Sequence, residues 1–252
     1  FSDPNFTQFH VSSEDCPRKN EDFLVRERKR MSKLQYAQEY LGEFVDELRQ
    51  FFSDSLIKQC MLVKRRAQIF QGKDYFLGVD VARMGTDEST FEIIDRTNRE
   101  LLIHVENLIT KRTLTTETTK MILELEKLYH FKQIFIDDGG MGVGVFDQLL
   151  TEEATRRKTV AINNASRPLT RDEKKKKRTL KEDIYNNLLN LMERGMIKLL
   201  EDDEIFLSLK SVQFEYDERG KIRIFGSYTH ITEGLIRAAW CSKNKGLNIW
   251  IA

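Results

Sequence analysis

Two aspartates stand where an acid is least expected, at the polar ends of apolar runs. Asp80 interrupts FLGVDVARMGTDES, and Asp137 closes IFID just before DGGMGVG. A carboxylate leaving a buried strand is unfavourable unless a cation meets it or backbone amides satisfy it, and both readings stand for Asp80. If the two runs are neighbouring strands, both carboxylates project from one edge of a sheet. Hard cations such as Mg²⁺ take carboxylate oxygens, and two such ions ~4 Å apart clamp the attacking and leaving oxygens in phosphodiester cleavage. Two aspartates do not complete that arrangement. Near the C-terminus, YTHITEGLIRAAW sets His230 and Glu233 on one face of a helix's first turn, as further candidate ligands. Glu233 also suits a plain N-terminal charge on the helix dipole, and His230 by itself suits a role without metal. Asp138 competes with Asp137 but points the opposite way from a strand. Asp183 reads as a helix-opening acid, and Asp87 as a turn residue or a neighbour of the site.

Phosphate contacts would come from Arg83, close to the acids, and from a basic stretch of Arg167, Arg171, Lys174, Lys175, Lys176, Lys177 and Arg178, with Lys181 just after it. Such a run is either a solvated surface or an arm that tracks a nucleic-acid backbone without reading sequence. GGMGVG fits neither GxGxxG nor a Walker loop, so ATP hydrolysis is not expected of this chain, and the glycines read as a tight turn. The net charge of +1 excludes a protein that coats nucleic acid by global charge, which leaves local patches. Three isolated cysteines give neither a zinc pattern nor a disulfide framework. No run approaches the ~20 apolar residues of a membrane helix, and no signal peptide opens the chain.

The elements that must position these groups follow from periodicity. Residues 21–52 carry helical spacing through Leu34, Ala37, Tyr40, Leu41, Phe44 and Leu48, and read as one or two helices of an extension over residues 1–70. The main domain, 71–252, opens with three predicted strands, DYFLGVDVA, STFEIID and ELLIHVENL. A helix over 114–129, the strand KQIFID, a helix from VFDQLL, the strand KTVAIN and a helix over 180–194 follow. QFEYDERGKIRIFG reads as a hairpin insertion, and a last helix runs from about Ile231 to Cys241. This is an α/β order: a mixed central sheet, antiparallel in its first three strands and then parallel, flanked by helices. It matches the RNase H-like fold, as well as other mixed-sheet folds.

Taken together, the segments resemble the C-terminal nuclease domain of terminase large subunits from tailed viruses, members of the RNase H-like/retroviral integrase superfamily. RMSKLQYAQEYLGEFVD is similar to the stretch after that family's ATPase, and FLGVDVARMGTDES and QIFIDDGGMGVGVFDQLL resemble its first two acidic motifs, with Asp137 on the second acidic position. The third motif departs from the family's adjacent aspartates. His230 and Glu233 occupy that region, a spacing similar to the last motif of RuvC-type resolvases. The resemblance implies an endonuclease that cuts double-stranded concatemeric viral DNA during genome packaging. In it Asp80 would bridge two Mg²⁺ ions, with Mn²⁺ as substitute, and Asp137 with His230 or Glu233 would complete their shells. It further implies an upstream ATPase domain of the same polypeptide, portal, capsid and small terminase subunit as partners, and action in the host cell cytoplasm rather than secretion. A RuvC-like resolvase or transposase-type nuclease, and a degenerate DNA- or motor-binding module, are the alternatives.

Overall fold

The computed structural model describes residues 11–18, 20–31, 36–42, 49–82, 88–137, 139–140, 142–162, 180–216 and 222–243. The chain divides into two compact units, 1–49 and 50–252.

In the first unit the expected helical stretch is broken. Helix α1 (Glu21–Arg30) is capped by Asn20, whose side chain accepts from the Asp22 amide, and a π-helical turn, Ala37–Leu41, ends at Gly42 in the left-handed region. Tyr36 and Tyr40 stack there with ring centroids 5.1 Å apart. Arg49–Gln50 form β1, where the units divide.

The second unit starts earlier than the expected boundary at residue 71. Helix α2 (Asp54–Cys60) leads into β2 (Met61–Val63), which pairs in parallel with β8 (Ile197–Leu200). Both strands are short and lack an alternating pattern, which is why periodicity does not reveal them. β3 (Tyr75–Asp80), β4 (Glu88–Asp95) and β5 (Leu102–Lys111) form the expected antiparallel meander, and β6 (Gln133–Ile136) lies parallel to β3, with β7 (Thr159–Ala161) parallel to β6. The seven-stranded sheet therefore runs β2-β8-β5-β4-β3-β6-β7. β9 (Gln213–Tyr216) and β10 (Ile222–Phe225) make the expected hairpin outside it.

Alternation along the strands sorts the two faces. Leu77, Val79, Phe91, Ile93, Ile134 and Ile136 pack on one face against Ile122 and Leu125 of α3 (Thr115–Tyr129) and Val145 and Leu149 of α4 (Gly142–Thr151). The intervening positions, Gly78 and Asp80, face the last helix, α7 (His230–Ala239), which packs on β3 and β4. Gly78 allows that contact: a Cβ there would lie 2.2 Å from the Gly234 carbonyl oxygen. Helices α5 (Leu180–Glu193) and α6 (Asp203–Ser211) pack beside α7.

Candidate active site

Asp80 is the last residue of β3, and Asp137 follows the last residue of β6. The parallel register sets Val79 opposite Ile136, so both carboxylates leave the same edge of the sheet from adjacent strands. The backbone around Asp137 is tightly folded. The Gly139 amide donates to Asp137 Oδ1 at 2.9 Å, and a Cβ on Gly142 would come within 1.7 Å of the Asp137 carbonyl oxygen. Gly142 thus serves close backbone approach, and Gly140 adopts a positive φ of 55°.

α7 brings the other two candidates over this edge. His230 Nδ1 lies 3.0 Å from Asp80 Oδ2. Glu233 is buried, accepts a 2.7 Å hydrogen bond from the Tyr185 hydroxyl of α5, and has Lys181 Nζ 3.4 Å from Oε1. The four sequence-predicted acid and histidine positions therefore meet in one place.

What the three acids converge on is Arg237, which the sequence reading did not single out. Its side chain is 0% exposed. Nη1 donates to Asp80 Oδ1 at 3.1 Å and to the Glu233 carbonyl oxygen at 2.7 Å, and lies 3.3 Å from Glu233 Oε2. Nη2 donates to Asp137 Oδ2 at 2.8 Å. The missed signal was a charge inside the apolar run ITEGLIRAAW, the same logic that picks out Asp80.

The electrostatics follow from this packing. Burial raises the Asp137 carboxyl above its ordinary pKa; Arg237 and the Gly139 amide oppose that rise, and the charges of Asp80 and Glu233 reinforce it. Burial alone would push the Arg237 guanidinium down, but Asp80, Glu233 and Asp137 outweigh it and leave its pKa above the usual value. Tyr185 is pushed well above its ordinary pKa by burial and then by Glu233, so its hydroxyl stays a donor.

No protein-family model matches the chain. It is similar to the terminase large subunit of Thermus virus P23-45, 22% identical over 217 residues, which cover 84% of this chain and 41% of that protein. The chain thus spans under half the length of this curated relative. Among solved structures, the large terminase nuclease of thermophilic phage G20c with bound magnesium superposes with a TM-score of 0.59 at 16% identity, over 75% of this chain and 96% of that one. The large terminase of a second thermophilic bacteriophage gives a TM-score of 0.65 at 14% identity, over 92% of this chain and 55% of that one. The chain has the fold of a large-terminase nuclease domain.

On this terminase nuclease fold the donor set suits a hard divalent ion: carboxylate oxygens from three elements with an imidazole alongside. Among the described residues no three His, Cys, Asp or Glu groups already form a cage around one point, and the guanidinium of Arg237 is the cation the acids share. Asp183 sits in the first turn of α5, as expected of a helix-stabilising acid. Asp87, Asp138, Arg83, Arg167, Arg171, Lys174 to Lys177 and Arg178 lie outside the described residues. Among the described residues no helix is long and apolar enough to cross a membrane.

Proposed function

We propose that the chain is the nuclease part of a viral genome-packaging terminase, a divalent-metal-dependent endonuclease that cuts double-stranded concatemeric DNA. The observation that carries this reading is the placement of Asp80 and Asp137 at the ends of adjacent parallel strands, beneath Glu233 and His230 of the last helix, on this fold. Similar nuclease domains from phage G20c have been solved with magnesium and with cobalt.

Asp80, Asp137, His230 and Glu233 would hold two Mg²⁺ ions, or Mn²⁺ in their place; bound there, the ions would activate water and stabilise the leaving 3′ oxygen. The chain's own groups do the rest. Tyr185 and Lys181 fix one carboxylate oxygen of Glu233, and His230 orients Asp80. Arg83 and the basic stretch Arg167, Arg171, Lys174 to Lys177 and Arg178 would contact phosphates irrespective of sequence, a salt-sensitive mode of binding. An ATPase domain upstream in the same polypeptide fits the curated relative's greater length and the second bacteriophage's large terminase, which has been solved with ATP-γ-S. Portal, capsid and small terminase subunit complete the proposed machine, at work in the host cell cytoplasm.

One observation favours a second reading. Arg237 already neutralises part of the acidic cluster, as it would in a degenerate module that binds DNA or the motor without cutting. Incubating supercoiled plasmid with the protein in Mg²⁺, Mn²⁺ or EDTA separates the two. The nuclease reading expects divalent-dependent nicking and linearisation that vanish in Asp80→Ala; no conversion in either metal supports the degenerate module.

A further inference from the structure

Arg237 lies one helical turn beyond Glu233 on α7, and the helix aims its guanidinium at the sheet edge rather than at solvent. It is fully buried, and a buried charge is tolerated only when opposite charges surround it. It meets three: Asp80 at 3.1 Å, Asp137 at 2.8 Å and Glu233 at 3.3 Å. Asp80 and Asp137 are reached by different nitrogens of one planar fork, so a single cation ties β3 to β6 through α7. The Nε of the same side chain is buried with no hydrogen-bond partner among the described residues. The group is thus placed by its carboxylates and not by its full hydrogen-bonding capacity. Those carboxylates are the ones a divalent ion needs.

We propose that Arg237 is the resident counter-cation of the acidic cluster, holding Asp80, Asp137 and Glu233 together without metal and competing with divalent ions for Asp80 and Asp137. The inference rests on the nuclease reading for the identity of the competing ion. Metal loading then requires the guanidinium to release at least one carboxylate oxygen, so the arginine weakens metal binding while it preorganises the ligands. Arg237 is a positioning residue, since it acts through the acids.

The test is Mn²⁺ titration by calorimetry, with thermal unfolding in EDTA and in Mn²⁺, on wild type, Arg237→Met, Arg237→Lys and the double variant Asp80→Asn with Arg237→Met. Removing one positive charge a few ångströms from the ion site should tighten Mn²⁺ binding by about tenfold or more in Arg237→Met. In EDTA that variant should melt below wild type, with Mn²⁺ closing the gap and Asp80→Asn restoring part of the loss. Arg237→Lys covers the case in which the methionine variant does not fold. A lone ammonium does not span both aspartates as the fork does, so this variant should also bind Mn²⁺ more tightly than wild type. Equal or weaker Mn²⁺ binding in folded variants, or unchanged stability in EDTA, overturns the proposal. If wild type binds no Mn²⁺ but Arg237→Met does, the inference stands and the metal-dependent reading of the natural chain falls. If wild type binds and cuts but the variants bind no more tightly, the inference alone falls. If no protein binds Mn²⁺, both the competition and the metal-dependent reading fall.

Discussion

Arg237 Nη2 sits 2.8 Å from Asp137 Oδ2, a contact that closes 100 residues of chain. Through it the last helix is tied to the parallel half of the sheet, and through the 3.1 Å contact to Asp80 it is tied to the antiparallel half. The site and the packing of α7 are therefore one structure, and changes in its supports should register in both stability and cleavage.

The Tyr185 hydroxyl is fully buried against Glu233. In Tyr185→Phe, Glu233 loses a donor in a site where water does not readily replace it, which is worth about 1–3 kcal/mol of unfolding free energy. Urea denaturation should show that loss, and plasmid nicking should slow in parallel. Wild-type stability and rate together would mean that Lys181 and Arg237 hold Glu233 without the tyrosine hydroxyl.

Gly78 and Gly234 let α7 rest on β3 with no side chain between them. In Gly78→Ala the added methyl would meet the Gly234 oxygen at 2.2 Å and the Ala238 nitrogen at 2.3 Å, both backbone atoms that cannot swing aside. Overpacking of this kind costs about 1–3 kcal/mol or more, and here it also lifts Arg237 away from the aspartates. We expect a lower melting temperature and loss of cleavage; a variant as stable and active as wild type would show that α7 does not rest on β3 as described.

Burial pushes the Cys60 thiol from 9.0 up to about 11, and the Cys241 thiol up to about 12. Both should resist a thiol-specific reagent at pH 8 in the native state, whereas half-buried Cys16 should react, and all three should react in denaturant. Because the folded pKa values are raised, the native state retains protons that the unfolded state releases above pH ~9. The thiol contribution to stability is complete below that pH and declines as pH rises through 11 to 12. Denaturation midpoints measured from pH 8 to 11 should fall for wild type, and fall less for Cys60→Ala with Cys241→Ala.

Much of this site was legible because strand chemistry is local. Asp80 and Asp137 end runs that only a buried strand explains, and the antiparallel-then-parallel order made their adjacency a reasonable expectation. His230 and Glu233 followed from helical spacing near the chain's end. Arg237 was not read because an arginine four residues after a glutamate is also an ordinary pair on a solvated helix face. Only packing α7 onto Gly78 of β3 turns that residue inward. β2 and β8 were missed because strands of three and four residues carry no usable period, and their pairing partners are far apart in sequence. Residues 61–63, ahead of the expected boundary at residue 71, join the sheet as β2. The basic stretch remains a sequence argument, because it falls outside the described residues.

The central claim is that the acids gathered at the ends of β3 and β6 cut DNA. Single-turnover nicking of supercoiled plasmid in Mn²⁺ should be measured for wild type, Asp80→Asn and Asp137→Asn, with the fold of each verified by circular dichroism. The account predicts that both folded variants lose at least about 100-fold in rate, the scale of removing a group that stabilises the reacting charge. Wild-type rates in either folded variant would place the chemistry elsewhere and contradict the account.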